Sequence, residues 1–212
     1  MTESIKTRDK IIEAARDLFL NQGYNSTGLA QITQHAGVKS GSLYYFFPTK
    51  EDLLIAVLDF YKANIYEGLL KFTYERINDP LERVFGILDG YRQMLLMTNF
   101  EMGCPIGNLV LEVTNSHPGA RPLMNVNFDQ WVDAIEECFQ NSGKLPETVN
   151  LRELAVFTLT TMEGAVMLAR SYRDIAPFDQ AIVQYRDYVE RLVADAMEWS
   201  KPRANPISPL EP

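Results

Sequence analysis

The sequence predicts an all-α protein of about nine helices, three short ones in an N-terminal unit and the rest in a longer helical bundle. Three observations predict it. Apolar residues recur three and four apart along almost the whole chain. The breaks between those runs carry glycine, proline, serine or asparagine. No segment shows the two-residue alternation of a half-buried strand.

Each element has its own signals. Ser4 or Thr7 is suited to cap a first helix bearing Ile11, Ile12, Ala15, Leu18 and Phe19, which Gly23 ends. Thr27 is suited to cap a short second helix with Leu29, Ile32 and Ala36, broken at Gly37. Ser40 is suited to cap a third, carrying Leu43, Tyr44, Phe46 and Phe47 and closed by Pro48. Thr49 opens a long helix that runs to about Ile77, with Glu51 and Asp52 in its first turn, where the helix dipole favours acids. Its apolar positions include Leu54, Val57, Leu58, Tyr61, Ile65 and Leu69. Asn78-Asp79-Pro80 interrupts it, and Pro80 suits a first helical position. Further helices are expected near 80–98, 105–114, 121–141, 150–173 and 178–199. The last stretch, 201–212, is proline-rich and expected to be disordered. The expected division is a head at 1–50, a helical body at 51–200 and that tail.

Composition narrows the class. An apolar fraction of 46% argues against disorder. No apolar run is long enough to span a bilayer, and the N-terminus lacks the apolar stretch of a secretion signal. Two cysteines fit a reducing compartment, so a cytoplasmic protein with no membrane partner is expected. The net charge of −8 is unevenly spread: residues 1–50 hold six Lys/Arg against four acids, and the remainder holds fourteen against twenty-four. A basic head on an acidic body suits a head that meets phosphate.

The segment 29–47 has the pattern of a helix-turn-helix. Its two helices must cross steeply while touching closely. Gly37 supplies the left-handed backbone of the turn, Val38 plugs the corner, and Ile32, Ala36, Leu43 and Phe46 form the small core. That leaves Lys39, Ser40, Ser42, Tyr44 and Tyr45 outside on the third helix. Basic, short polar and phenolic groups reach phosphates and base edges in a major groove. A head this small makes few base contacts, so two copies on two half-sites are expected. Chemistry of other kinds lacks support. His35, His117, Cys104 and Cys138 form no metal-ligand spacing and no nucleophile triad, and no glycine-rich phosphate loop is present. No cofactor and no enzymatic activity are expected.

Gly23-Tyr24, Thr27, Ile32, Ala36-Gly37-Val38, Gly41-Ser42-Leu43-Tyr44, Phe46 or Phe47 and Lys50-Glu51-Asp52-Leu53 together resemble the TetR/AcrR family of transcriptional regulators. Thr27-Gly28-Leu29, the run from Gly41 to Pro48 and Gly103-Cys104-Pro105 look most like the LmrA/YxaF-related subgroup. The sequence departs from the family's usual residues at Gly28, Thr33 and Phe46. The resemblance implies a ligand-responsive regulator, a repressor, that binds a palindromic operator in double-stranded DNA as a homodimer. It implies that Thr27 and Gly28 set the second helix's N-terminus against a phosphate. Lys39, Ser40 and Ser42 would read bases or position the third helix, Tyr44 and Tyr45 would contact the backbone, and Lys50 would clamp a phosphate.

For the body, the resemblance implies a dimer through the last two long helices and an internal cavity for an apolar or aromatic effector. Dimer stripes are expected at Leu151, Leu154, Thr158, Met162, Ala165 and Ala169, and at Ile182, Val189, Leu192, Val193 and Met197. The cavity candidates are Tyr61, Tyr91, Leu95, Met97, Phe100, Asn108, Trp131, Phe157 and Met162, each of which ordinary core packing also explains. Glu112 and Glu163, two further cavity candidates, lie in apolar helical stretches, where a buried carboxylate needs a partner, either a cationic ligand or an arginine, unless it reaches solvent. Cys104 stands at a helix start, which activates a thiol. Two alternatives therefore stay open: a regulator that senses electrophiles or oxidants through Cys104, and a helical ligand-binding protein without a DNA function.

Overall fold

The computed structural model describes residues 3–199, and all regular structure among them is helical. The expected tail at 201–212 lies outside the described residues. The head comprises α1 (Glu3–Gln22), α2 (Leu29–Ala36) and α3 (Ser40–Phe46). The body comprises α4 (Lys50–Ala63), α5 (Lys71–Arg76), α6 (Pro80–Met97), α7 (Pro105–Val113), α8 (Arg121–Ser142), α9 (Leu151–Tyr172) and α10 (Ala176–Trp199). No described helix is long and apolar enough to cross a membrane.

Helix ends follow local chemistry, with corrections to the expected caps. α1 already starts at Glu3, so Ser4 and Thr7 lie within it. The caps of α2 and α3 are Gly28 and Lys39 rather than Thr27 and Ser40, and neither cap makes a side-chain bond. Thr49 does cap α4: its hydroxyl accepts from the Asp52 N–H while the Asp52 carboxylate accepts from the Thr49 N–H. Asp79 caps α6 ahead of Pro80, and Asn150 caps α9.

The long helix expected to reach Ile77 is interrupted. The Asn64 side-chain amide donates to the Phe60 carbonyl at 2.7 Å, which competes with the helical ladder at that turn. A π-helical turn at Tyr66–Leu70 follows before α5 resumes, so α4 and α5 replace one rod.

One apolar core runs through the whole molecule. Ile11 and Phe19 of α1, Ile32, Leu43 and Val57 belong to the same buried cluster as Leu88, Leu95, Ile135, Met162 and Val189. α9 packs between α8 and α10, and α6 closes against all three. Two bidentate ion pairs tie α6 to α10, Arg92 to Asp179 and Arg186 to Glu82.

The expected α9 dimer stripe is core instead. Leu154, Thr158, Met162, Ala165 and Ala169 are buried within the single chain, because that face packs on the neighbouring helices. Val189 is also buried, and Ile182, Leu192 and Val193 pack against the core. Among the described side chains, the large apolar groups left outside on α9 and α10 are Val156, Phe157, Met167, Leu168, Tyr172, Val183 and Tyr188; the expected Met197 lies outside the described side chains.

Candidate nucleic-acid interface and effector cavity

The turn between α2 and α3 is set by Gly37, at φ 64° and ψ 34°. Its N–H donates to the Gln34 carbonyl, and the Val38 N–H donates back to Thr33 at 3.0 Å. That pairing closes the end of α2. Ile32 and Leu43 are fully buried beneath the turn, with Ala36, Val38 and Phe46 packed around them. Burying those positions turns the rest of α3 outward. Tyr44 is 55% exposed and Tyr45 79%, Lys39 and Ser40 are exposed, and Ser42 is half-buried. Phe46, where the family pattern differs, holds the Tyr45 ring edge-on at 4.9 Å.

Three of the expected phosphate-contacting residues make bonds within the protein instead. Thr27 is only 2% exposed. Its hydroxyl donates to the Gly23 carbonyl at 2.7 Å and accepts from the Gln22 side chain, so it braces the end of α1. The Gly28 N–H donates to the Gln31 side chain at 2.7 Å. Lys50 is half-buried; its ammonium donates to the Tyr24 carbonyl and lies over the Tyr24 ring. Loss of solvent pulls the Lys50 pKa down, partly opposed by Glu112.

These contacts belong to a joint between head and body. The Asn25 N–H donates to Glu112 at 2.9 Å. The Tyr24 hydroxyl meets His117 Nε2 at 3.1 Å, and the His117 ring stands edge-on to the tyrosine. Burial, with a smaller push from Glu51, raises the Tyr24 phenol to about 12, so it stays protonated. Lys50, Glu112 and His117 thus converge on Gly23–Asn25. Glu112, expected in the cavity, is a tie to the head, because it sits at the far end of α7. His117, which the sequence places in no metal site or triad, is part of the same tie.

A cavity of about 310 Å³ lies between α7, α8 and α9. It gathers three of the expected residues, Cys104, Asn108 and Glu163, and adds Arg170, Gly107, Phe128 and Met167 among others. Arg170 was missed, although it stands two helical turns from Glu163 on the same face of α9. Phe100 lines a neighbouring groove that also includes Arg170. Tyr91, Leu95, Trp131 and Met162 are buried in the core, and half-buried Tyr61 packs against it. Met97 is 85% exposed and Phe157 48%, so neither lines the cavity.

The geometry does not favour a thiol sensor. Cys104 caps α7, with its sulfur accepting from the Gly107 N–H, an arrangement that lowers a thiol pKa. Burial and the adjacent Glu163 carboxylate outweigh it and drive the thiol far upward.

An outward-facing helix-turn-helix on a head tied through one short helix to a lined cavity has the architecture of a DNA-binding regulator. The comparisons agree. Residues 11–57 match the tetR family of bacterial regulatory proteins. Residues 80–184 match the C-terminal domain of LmrA/YxaF-like transcriptional regulators. An HTH-type transcriptional regulator of Mycobacterium tuberculosis is 30% identical, over 92% of this chain and 98% of that one. The HTH-type transcriptional regulator YxaF of Bacillus subtilis is 30% identical over 84% and 92%. A TetR transcriptional regulator from Chloroflexus aurantiacus, 26% identical, superposes with a TM-score of 0.76 over 90% of this chain and 97% of that one. The chain belongs to the TetR family, and it is a transcriptional regulator, not an enzyme.

Proposed function

We propose that the protein is a cytoplasmic repressor that grips a palindromic operator as a homodimer and lets go when an effector occupies the body cavity. Residues 1–50 read DNA and residues 51–200 carry the effector and dimer surfaces. The observation that carries this reading is the outward face of α3. Tyr44, Tyr45, Lys39 and Ser40 all stand exposed there, Tyr45 steadied edge-on by Phe46, and suit a major groove. Tyr44 and Tyr45 meet backbone, and Lys39, Ser40 and Ser42 sit nearest the base edges. Gly28 brings the start of α2 to a phosphate, with Lys6, Arg8 and Lys10 of α1 exposed in support. Thr27 and Lys50 act indirectly, by holding the joint.

The switch runs along α7. Nine residues span about 13 Å. Its Cys104 cap and Gly107, Asn108, Val110 and Leu111 line the cavity, and Glu112 at its C-terminal end holds the head. An effector that shifts α7 re-angles Gly23–Asn25 and thereby the head. Recognition helices then miss successive major grooves, about 34 Å apart. Such a ligand binds the two states with different affinity. The dimer forms through the apolar face left outside on α9 and α10.

The test is a footprint on DNA flanking the protein's own gene. A symmetric protected site, weakening steeply with added salt, is expected. Tyr44→Ala combined with Lys39→Ala should abolish it while the circular dichroism spectrum is unchanged; undiminished binding refutes the site assignment.

A further inference from the structure

We propose that the cavity takes an elongated, uncharged, largely apolar molecule with a hydroxyl at one end, donating to Glu163, and a carbonyl or ether oxygen at the other, accepting from Arg170. This deepens the effector reading and rests on it.

Two buried polar atoms carry the inference. Glu163 Oε1 and Arg170 Nε are both shut off from solvent without a hydrogen-bond partner, although the Cys104 thiol bonds to the same Glu163 carboxylate, and both residues line the cavity. Buried polar atoms are nearly always paired, so an acceptor and a donor left open around one cavity mark where a ligand completes the set. The rest of the Arg170 fork is committed: one nitrogen donates to Asn108 Oδ1 at 2.7 Å and another to the Glu101 carbonyl at 3.1 Å. Those partners fix the guanidinium and leave Nε to be satisfied.

Two glycines make room for this pair. A Cβ on Gly107 would come within 2.5 Å of the Glu163 carboxylate, and one on Gly103 within 2.8 Å of the Arg170 guanidinium. The Gly103-to-Gly107 segment is thus shaped around the two charged side chains of α9.

The same groups define the ligand's outline. Glu163 and Arg170 are seven residues apart, about 10 Å along the helix axis. Between them the walls are apolar, with Val110, Phe128 and Val166. A volume of about 310 Å³ admits a small, rod-like body. The site also disfavours an ion. Its one carboxylate and one guanidinium offset each other, and burial works against the charged form of Glu163. A cation meets Arg170 as well as Glu163, and an anion meets the reverse.

Binding of a biphenyl series to the full-length protein tests this by calorimetry. The series comprises biphenyl itself, biphenyl with a hydroxyl and an acetyl group at opposite ends, the aminomethyl cation and the carboxylate anion. The hydroxy-acetyl compound should bind about a hundredfold tighter than biphenyl and at least about tenfold tighter than either ion. Glu163→Leu and Arg170→Met should each remove about tenfold of that affinity and leave biphenyl binding within about twofold. Gly107→Ala keeps both polar groups but crowds Glu163, so it should weaken the same compound even where Glu163→Leu fails to fold. Equal or absent binding across the series, a preference for either ion, or indifference to all three substitutions overturns the proposal. Operator release is read separately by gel shift. The expected ranking without release upholds the recognition chemistry and counts against the switch. Release by compounds indifferent to Glu163 and Arg170 overturns the recognition chemistry and leaves the switch standing.

Discussion

At Gly23 the backbone holds a φ of 86°, and a Cβ there would meet Glu112 Oε1 at 2.5 Å. Gly23→Ala should therefore cost about 1–3 kcal/mol in urea unfolding, from backbone strain and the displaced carboxylate together. In a Glu112→Ala background the carboxylate part disappears, and a double-mutant cycle should recover a measurable share of the cost. Glu163 gives a pH signature. Burial raises its pKa above the ordinary 4.5, so between the unfolded and folded values the native state binds more protons. Stability contributed by the neutral form is present below that window and lost as pH rises through it. Melting temperatures of Glu163→Gln and the parent, compared from about pH 4 to pH 8, should diverge in favour of the variant as pH rises; parallel curves refute the assignment. At Cys104 the raised thiol pKa predicts alkylation by iodoacetamide at neutral pH far slower in the native state than in urea.

At the scale of elements, α7 is the part whose role the sequence hides. Glu112 and Glu163 look alike as carboxylates in apolar helical runs, yet one ties down the head and the other lines the cavity. Only the tertiary placement of their helices separates them: Glu112 on α7 meets the α1–α2 turn, and Glu163 on α9 meets the cavity. Glu112→Ala should weaken the coupling while leaving both sites intact: operator affinity within a few-fold of the parent, and effector-induced release reduced about tenfold or more. A fully retained effector response would remove α7 from the switch. Other elements were legible because local rules dominate them. Gly37 in its left-handed turn, the capping box at Thr49 and Asp52, and the Pro80 start of α6 need no distant partner. The α3 face was legible for the same reason, since burying Leu43 at helical spacing fixes where Tyr44 and Tyr45 point. Thr27 was misread because a hydroxyl before a helix signals a cap, whereas here it turns back to Gly23. α9 was misread because it is apolar on two faces, and periodicity does not say which face a second chain covers.

For the whole molecule, the proposed dimer makes the outer face of α9 and α10 decisive. Phe157 stands edge-on to Tyr185 and Tyr188 there, half exposed. Phe157→Glu should yield a folded monomer by analytical ultracentrifugation and cost operator affinity, because one head alone makes too few contacts; a dimer of unchanged strength would move the interface elsewhere. The head itself has no private interior. Ile11, Phe19 and Ile32 share their packing with Val57 and onward to Val189. A fragment cut at residue 50 would lose the wall it leans on, so the reader is not a transplantable module. Calorimetry of the intact chain should record one cooperative melting event rather than two, and grafting this DNA specificity onto another regulator will need α4 and α7 to travel with it.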